Sequence, residues 1–145
     1  MTNSFSDFNK AKMIFVIGSN MTEAHPVAAT FVKQAAIKGS QLIVVDPRRT
    51  PLTDFANLHV PIKVGSDVAF LNGVMNVLIH EDLYDKQYVE SCTIGFKDLK
   101  AKVEEYPPER AAEISGVSAD IIRDVARRLA SVKPAMLMYT LGITE

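Results

Sequence analysis

Three short polar stretches of this sequence have residue types that suit the binding of a nucleotide. The first, Gly18-Ser19-Asn20, follows the apolar run Met13–Ile17. A glycine lets the backbone approach a ligand closely, and Ser19 and Asn20 can donate hydrogen bonds to phosphate oxygens. An ordinary strand-to-helix turn explains the same residues without a ligand. The spacing differs from the glycine fingerprint of simple NAD-binding sites, which weakens that interpretation.

The second stretch, Asp46-Pro47-Arg48-Arg49, follows the predicted strand Gln41–Val45. A carboxylate at this point of a dinucleotide fold accepts hydrogen bonds from ribose hydroxyls. It can also accept two hydrogen bonds from the N1–H and N2–H₂ edge of guanine, and two arginines can clamp a phosphate. The alternative is a solvated turn in which Asp46 bonds its own backbone.

The third stretch is Gly65-Ser66-Asp67, which on its residue types alone is better explained as a helix cap. Its position also favours a binding role, because all three stretches follow predicted strands. The carboxyl ends of parallel strands share one edge of a sheet, and ligands bind in the crevice beyond that edge. The sequence therefore predicts a nucleotide-type site along a single rim.

The remaining reactive side chains form no recognisable catalytic set. His25, near Glu23, could act as a general base or metal ligand, but a role in starting a helix is favoured. His59 and His80 have no clustered partners, and no His, Cys and carboxylate set has metal-ligand spacing. We expect Cys92 to be a buried bystander. We therefore assign neither catalytic nor metal-ligating residues.

Periodicity predicts an α/β fold: a three-layer sandwich with a mostly parallel, Rossmann-like sheet and helices on both faces. Pro61 should make the third strand short or place it at an edge. The first helix should begin at Pro26 and end near Gly39. The predicted strands are Met13–Ile17, Gln41–Val45, Leu58–Val64 and Met136–Gly142, and the later helices are Val68–Glu81, Asp85–Ser91, Gly95–Tyr106, Pro108–Ile114 and Ala119–Ser131.

Composition fits one domain of 145 residues with a formal net charge of −1, which gives no general attraction to nucleic acid or anionic membranes. A single cysteine cannot make an internal disulfide or an iron–sulfur site. No apolar run is long enough to span a membrane, and no signal peptide is evident. Both termini look like points inside a larger chain.

Five stretches together resemble the catalytic alpha subunits of molybdenum- or tungsten-dependent formate dehydrogenases, in the dimethyl sulfoxide reductase family of molybdopterin oxidoreductases. They are V-I-G-S-N-M-T-E-A-H-P, I-V-V-D-P-R-R-T, K-V-G-S-D-V-A-F-L-N-G-V-M-N-V-L-I, E-D-L-Y-D-K-Q-Y-V-E and I-S-G-V-S. The resemblance covers essentially all 145 residues in order and spacing.

This resemblance implies a domain, residues 1–145, that binds one guanine dinucleotide arm of a bis-molybdopterin cofactor. The first stretch would line pyrophosphate and ribose, the second would hold the nucleoside, and the third would complete the guanine pocket. The implied cofactor-binding residues are Gly18, Ser19, Asn20, Met21, Thr22, Glu23, Ala24, His25, Val45, Asp46, Pro47, Arg48, Arg49, Gly65, Ser66, Asp67, Leu141 and Gly142.

The family's iron–sulfur cysteines, its cysteine or selenocysteine metal ligand and its catalytic histidine and arginine have no match here. The resemblance thus implies a fragment that cannot oxidise formate to carbon dioxide alone, with the 4Fe-4S cluster expected in a missing N-terminal part. Expected partners are the other domains of the subunit and electron-transfer subunits, in the cytoplasm. Two alternatives stay open: another family member such as a nitrate reductase, and a non-redox nucleotide-binding middle domain as in thiamine diphosphate enzymes.

Overall fold

The computed structural model describes residues 3–144 and divides into two compact units. One unit is built from the chain up to Pro61 and again from Val132 onward, and the other is Ile62–Ser131. All strands of the described residues lie in the first unit. They are β1 (Met13–Ile17), β2 (Gln41–Val45), β3 (Leu58–Val60) and β4 (Ala135–Tyr139).

The four strands form one parallel sheet in the order β3-β2-β1-β4. β1 lies at the centre, and all five of its residues are buried, as its unbroken apolar run predicts. On one face of the sheet, Ile14 and Val16 belong to a core cluster with Phe8 and with the helix that follows β1. Phe8 lies on a short 3-10 helix, Phe5–Lys10. The predicted α/β fold with a parallel sheet is confirmed.

The connection from β1 to β2 contains two helices, α1 (Met21–Ala24) and α2 (Pro26–Ile37). The sequence predicts α2 but not α1. A residue before proline is disfavoured in the helical region, and His25 accordingly adopts φ −140° and separates the two helices. Gly39, just past α2, has φ +103°, a conformation that glycine accepts without strain.

Two strands are shorter than predicted. β3 ends at Val60 rather than Val64, because Pro61 has no N–H to continue the ladder. It does lie at an edge of the sheet, as expected. β4 ends at Tyr139 rather than Gly142, and Leu141–Thr144 forms the short helix α8.

The second unit consists of helices in its described residues, and the predicted helix positions are close to those observed. α3 contributes more buried residues than any other described helix of this unit, with eight between Ala69 and Ile79. Gly73 on α3 lies against Ala111 and Ile122. The helices are α3 (Asp67–His80), α4 (Lys86–Cys92), α5 (Phe96–Val103), α6 (Pro108–Ser115) and α7 (Ala119–Ser131).

Polar contacts also join the helices of the second unit. Asn76 is buried and donates from Nδ2 to the carbonyl oxygen of Val103 at 2.9 Å. Arg127 makes a two-pronged contact with the Glu81 carboxylate at 3.0 and 2.8 Å, and this pairing lowers the pKa of Glu81. Cys92 is exposed at the end of α4, so the expectation that it is buried is wrong. α4 buries no residue, which explains the difference.

Candidate functional site

The carboxyl ends of the four strands lie level with one another. Ile17 is in register with Val45 on one side and with Tyr139 on the other, and Val45 is in register with Val60. The residues that follow β1 and β2 therefore emerge together at one rim of the sheet. This rim is the place where open parallel sheets bind ligands.

The turn after β1 is held by hydrogen bonds to the ends of both neighbouring strands, β2 and β4. Gly18 has φ +57° and donates its N–H to the Val45 carbonyl oxygen at 2.9 Å. Its own carbonyl oxygen accepts a hydrogen bond from Thr140 Oγ1 at 2.7 Å. Val45 is fully buried, and its carbonyl is used by Gly18. Val45 therefore positions the turn and offers no exposed atom to a ligand.

Polar side-chain atoms without partners are concentrated at this rim. Ser19 is 3% exposed, and its Oγ has no hydrogen-bond partner in the structure. The same is true of Asn20 Oδ1 and Thr22 Oγ1, which are likewise shielded from solvent. In the loop after β2, buried Thr50 Oγ1 also lacks a partner. Each such atom costs about 1–3 kcal/mol when it stays unsatisfied. The arrangement suits a polar ligand that would supply the missing bonds.

Asp46, the first residue after β2, is only 5% exposed. Its Oδ1 accepts the backbone N–H of Arg48 at 2.8 Å, which is the local turn bond considered as the alternative from sequence. Its backbone carbonyl oxygen contacts His59 Nε2 at 3.0 Å. Because a carbonyl can only accept, the Nε2 atom of His59 carries the proton in this contact. Asp46 is thus fixed from two sides, with one carboxylate oxygen already used.

The cationic side chains of this loop point toward solvent. The Arg48 and Arg49 side chains are 72% and 77% exposed. Arg48 Nε lies 3.9 Å from Asp46 Oδ1, and Arg49 lies 3.5 Å from Asp54. Ion pairs this exposed contribute little to stability. Both guanidinium groups therefore remain available to an anionic ligand.

A cavity of about 750 Å³ opens beside the first turn, within the first unit. Its size is in the range of small-molecule sites. Ser19, Met21 and His25 line one side of it, and Met136–Thr140 line another. Met21 is buried, whereas Glu23, Ala24 and His25 are exposed. The cavity has a mainly apolar lining and meets the polar rim at Ser19.

The third stretch lies in the second unit, where it starts α3. Gly65 has φ +77°. Ser66 occupies the N-cap position, but its Oγ donates back to the Lys63 carbonyl oxygen at 2.6 Å and does not cap the helix. Asp67 is half-buried in the first turn and forms no ion pair with any residue in the range 3–144. Its carboxylate is therefore free to accept from a ligand.

Sequence reasoning placed Leu141 and Gly142 at a strand end, and this is wrong, because both residues lie in α8. It also missed three polar residues of the rim, Thr50, His59 and Thr140. Thr50 and Thr140 each carry one hydroxyl and lie next to stretches that the sequence analysis had already selected, so only their position in the chain could have indicated them. His59 contacts Asp46 across neighbouring strands, a relation that no local spacing reveals.

Comparison with known proteins identifies the family. The profile described as molybdopterin oxidoreductase matches residues 1–145. The chain belongs to the molybdopterin oxidoreductase family. This family domain is 41% identical over 145 residues to the F420-dependent formate dehydrogenase 1 subunit alpha of Methanococcus maripaludis, covering all of this chain and 22% of that protein. Formate dehydrogenase H of Escherichia coli is 39% identical over 145 residues, again all of this chain and 20% of that protein.

This family domain also resembles a solved structure. Acetylene hydratase from Pelobacter acetylenicus matches it with a TM-score of 0.85 and 38% identity, over 96% of this chain and 19% of that one. The chain therefore spans about a fifth of the length of these relatives. Family membership implies a molybdopterin cofactor. Relatives with different named substrates match about equally well, so identity alone does not choose a substrate.

Between residues 3 and 144, no three His, Cys, Asp or Glu side chains cluster so that they could hold a metal ion. Within that same range, none of the helices has the length and apolar character needed to cross a lipid bilayer.

Proposed function

We propose that this domain binds one guanine dinucleotide arm of a bis-molybdopterin cofactor in a formate dehydrogenase alpha subunit. The observation that carries the proposal is the group of buried, unpartnered polar atoms at the end of β1, on Ser19, Asn20 and Thr22. A folded protein rarely leaves several such atoms together unless something else satisfies them. A dinucleotide offers phosphate and sugar oxygens and hydroxyl groups, which match these donors and acceptors.

Each part of the rim has a role in this proposal. Ser19 and Thr22 donate to pyrophosphate or ribose oxygens, and Asn20 Oδ1 accepts from a hydroxyl. Arg48 and Arg49 lend positive charge to the same anionic group, which their exposure permits. Asp46 holds the loop and offers its second carboxylate oxygen to the nucleoside. Independently of the rim, Asp67 of the second unit is proposed to accept the N1–H and N2–H₂ edge of guanine.

The chemistry itself comes from the bound metal–pterin group, and this domain orients that group and shields it from water. The proposed parent reaction is the oxidation of formate to carbon dioxide, for which the metal–pterin group would supply the redox chemistry, and a 4Fe-4S cluster is expected outside these residues. We propose no catalytic or metal-ligating role for residues 1–145, so this domain alone would be inactive. The proposed metal is molybdenum or tungsten. We propose electron-transfer subunits as partners and a cytoplasmic location.

Two alternatives have distinct consequences. Another molybdopterin enzyme, such as a nitrate reductase, would use this domain in the same way and differ only in its substrate. A non-redox nucleotide-binding domain, as in thiamine diphosphate enzymes, would prefer an adenine nucleotide. The named formate dehydrogenases, at 41% and 39% identity over the whole chain, support the first proposal, and the substrate stays part of the proposal because acetylene hydratase matches at a similar 38%.

The Ser19→Ala substitution tests the proposal, because stability and binding should change in opposite directions. Loss of the unpartnered hydroxyl should raise the free energy of unfolding without ligand by about 1 kcal/mol, since a buried unsatisfied group is removed. The same change should weaken cofactor binding by the complete protein roughly threefold to tenfold, since a hydrogen bond is lost. Denaturant unfolding and metal content after purification measure the two effects.

Ser40→Ala is the matched control. Ser40 Oγ donates to the Ala11 carbonyl oxygen at 2.7 Å in the same unit, so its loss should lower stability by about 1 kcal/mol and leave cofactor content unchanged. Normal cofactor content in the Ser19→Ala protein would contradict the proposed role of this turn.

A further inference from the structure

His59 lies in the middle of β3, and its side chain reaches the turn that follows the neighbouring strand β2. Its Nε2 atom donates a hydrogen bond to the backbone carbonyl oxygen of Asp46 at 3.0 Å. His59 is only partly exposed, and Asp46 is buried. A histidine of the edge strand therefore holds the backbone of a residue that we assign to the nucleotide site.

The end of the ladder between β2 and β3 explains why a side chain makes this contact. Asp46 donates its N–H to the Val60 carbonyl oxygen at 3.2 Å, at the point where β3 ends. In a longer parallel ladder, the Asp46 carbonyl would accept from a backbone N–H further along β3. Because β3 stops before Pro61, the ring of His59 supplies the donor instead. The Asp46–Pro47 peptide bond has no N–H that could help to hold the turn.

The contacts of Asp46 fix the direction of one carboxylate oxygen. Its N–H and carbonyl oxygen are bonded to residues of β3, and its Oδ1 accepts the Arg48 N–H at 2.8 Å. Within the part of the chain that the structure describes, no hydrogen bond reaches Oδ2. A carboxylate at the end of the second strand of a dinucleotide fold accepts hydrogen bonds from ribose hydroxyls. Oδ2 is the atom of Asp46 that can do so.

We propose that His59 is a positioning residue of the nucleotide site. Its Nε2–H holds the Asp46 carbonyl so that Oδ2 accepts a hydrogen bond from a ribose hydroxyl of the bound dinucleotide. His59 itself does not touch the ligand and acts through Asp46. The inference rests on the proposed function, since it assigns the ribose of that dinucleotide to Asp46.

Calorimetric titration of the complete apoprotein with GDP and with its 2′,3′-dideoxy analogue tests this role. The wild-type protein should bind GDP roughly tenfold to hundredfold more tightly, since the analogue lacks the hydroxyls that donate to the carboxylate. His59→Leu should reduce this affinity ratio about threefold to tenfold, because Oδ2 loses its fixed direction. His59→Gln should restore the ratio, since the glutamine amide can donate from nearly the position of the ring Nε2.

His80→Leu is the matched control. His80 Nε2 contacts Glu104 Oε2 at 3.0 Å in the second unit, so its loss should leave the ratio of the two affinities unchanged. An equal weakening of both nucleotides by His59→Leu is the effect of a merely structural residue and would overturn the proposal. So would an equal fall of the ratio in His59→Leu and His80→Leu.

A double variant tests whether His59 acts through Asp46. Once Asp46→Ala has removed the carboxylate, the affinity ratio should be close to one, and adding His59→Leu should not change it. A ratio that stays high in Asp46→Ala and falls only with His59→Leu would overturn the proposal. Failure of the wild-type protein to distinguish the two nucleotides would overturn the role of Asp46 in the proposed function as well, whereas a wild-type ratio that persists in His59→Leu overturns this inference alone.

Discussion

Gly73→Ala is expected to destabilise the second unit by about 2 kcal/mol, although alanine is the better helix former. A Cβ added at Gly73 would lie 2.6 Å from the Cβ of Ala111. Both atoms are attached directly to backbone, so no side-chain rotation can separate them, and α3 and α6 must move apart. Overpacking of this kind lowers the free energy of unfolding by about 1–3 kcal/mol, and the greater helix propensity of alanine offsets only part of this loss. Denaturant unfolding followed by helical circular dichroism measures the change.

The reciprocal substitution provides the control for this prediction. Ala111→Gly removes the opposing methyl group, so Gly73→Ala combined with Ala111→Gly should recover most of the lost stability. The next neighbour, Ile122 Cγ2, would then lie at 3.4 Å, close to ordinary contact. If the double variant is no more stable than Gly73→Ala alone, this contact is not the cause of the loss.

Substitution of Asp46 or Asp67 should remove most of the cofactor from the complete protein. A charge-assisted hydrogen bond contributes about 1.5–3 kcal/mol, so the loss of one weakens binding roughly tenfold to hundredfold. For Asp67→Asn, the side-chain amide can accept only one of the two guanine hydrogens and sets its NH₂ against the other. Inductively coupled plasma measurement of metal, with nucleotide released by acid hydrolysis, quantifies the cofactor.

Asp46 needs a variant that separates its two roles. Asp46→Asn keeps an oxygen for the Arg48 N–H at 2.8 Å, whereas Asp46→Ala removes it. We expect both to lose cofactor, with the larger loss in the alanine variant. Asp98→Ala, which changes an exposed carboxylate in the first turn of α5, should retain full content. Full metal and nucleotide content in the Asp46 and Asp67 variants would contradict their assignment.

Much of the fold follows from local sequence because its signals are local. The unbroken apolar runs of β1 and β2 specify strands buried on both faces, and their observed bounds match the predicted ones. Pro26 marks the start of α2 through its fixed backbone geometry, and Ser118, just before α7, accepts the Ile121 N–H on its Oγ at 3.4 Å. The ends of β3 and β4 were less predictable from sequence. The length of an edge strand depends on how many residues the neighbouring strand offers for backbone hydrogen bonds.

The candidate site could be predicted only in outline. Glycine and acidic residues after strands located the rim, since parallel topology brings such residues together. The sequence could not show that Ser66 turns its hydroxyl back to Lys63, because capping and back-bonding use the same residue type. It also could not show that Val45 is fully buried or that His59 supports Asp46. These details depend on tertiary packing.

Calorimetric titration of the complete apoprotein with GDP, ADP and NAD tests the central claim most directly. A rim that grips the guanine end of a molybdopterin dinucleotide should bind GDP at least about tenfold more tightly than either adenine nucleotide, since adenine lacks the paired N1–H and N2–H₂ donors that a carboxylate accepts. Equal affinity for GDP and ADP, or a preference for ADP or NAD, would contradict the account.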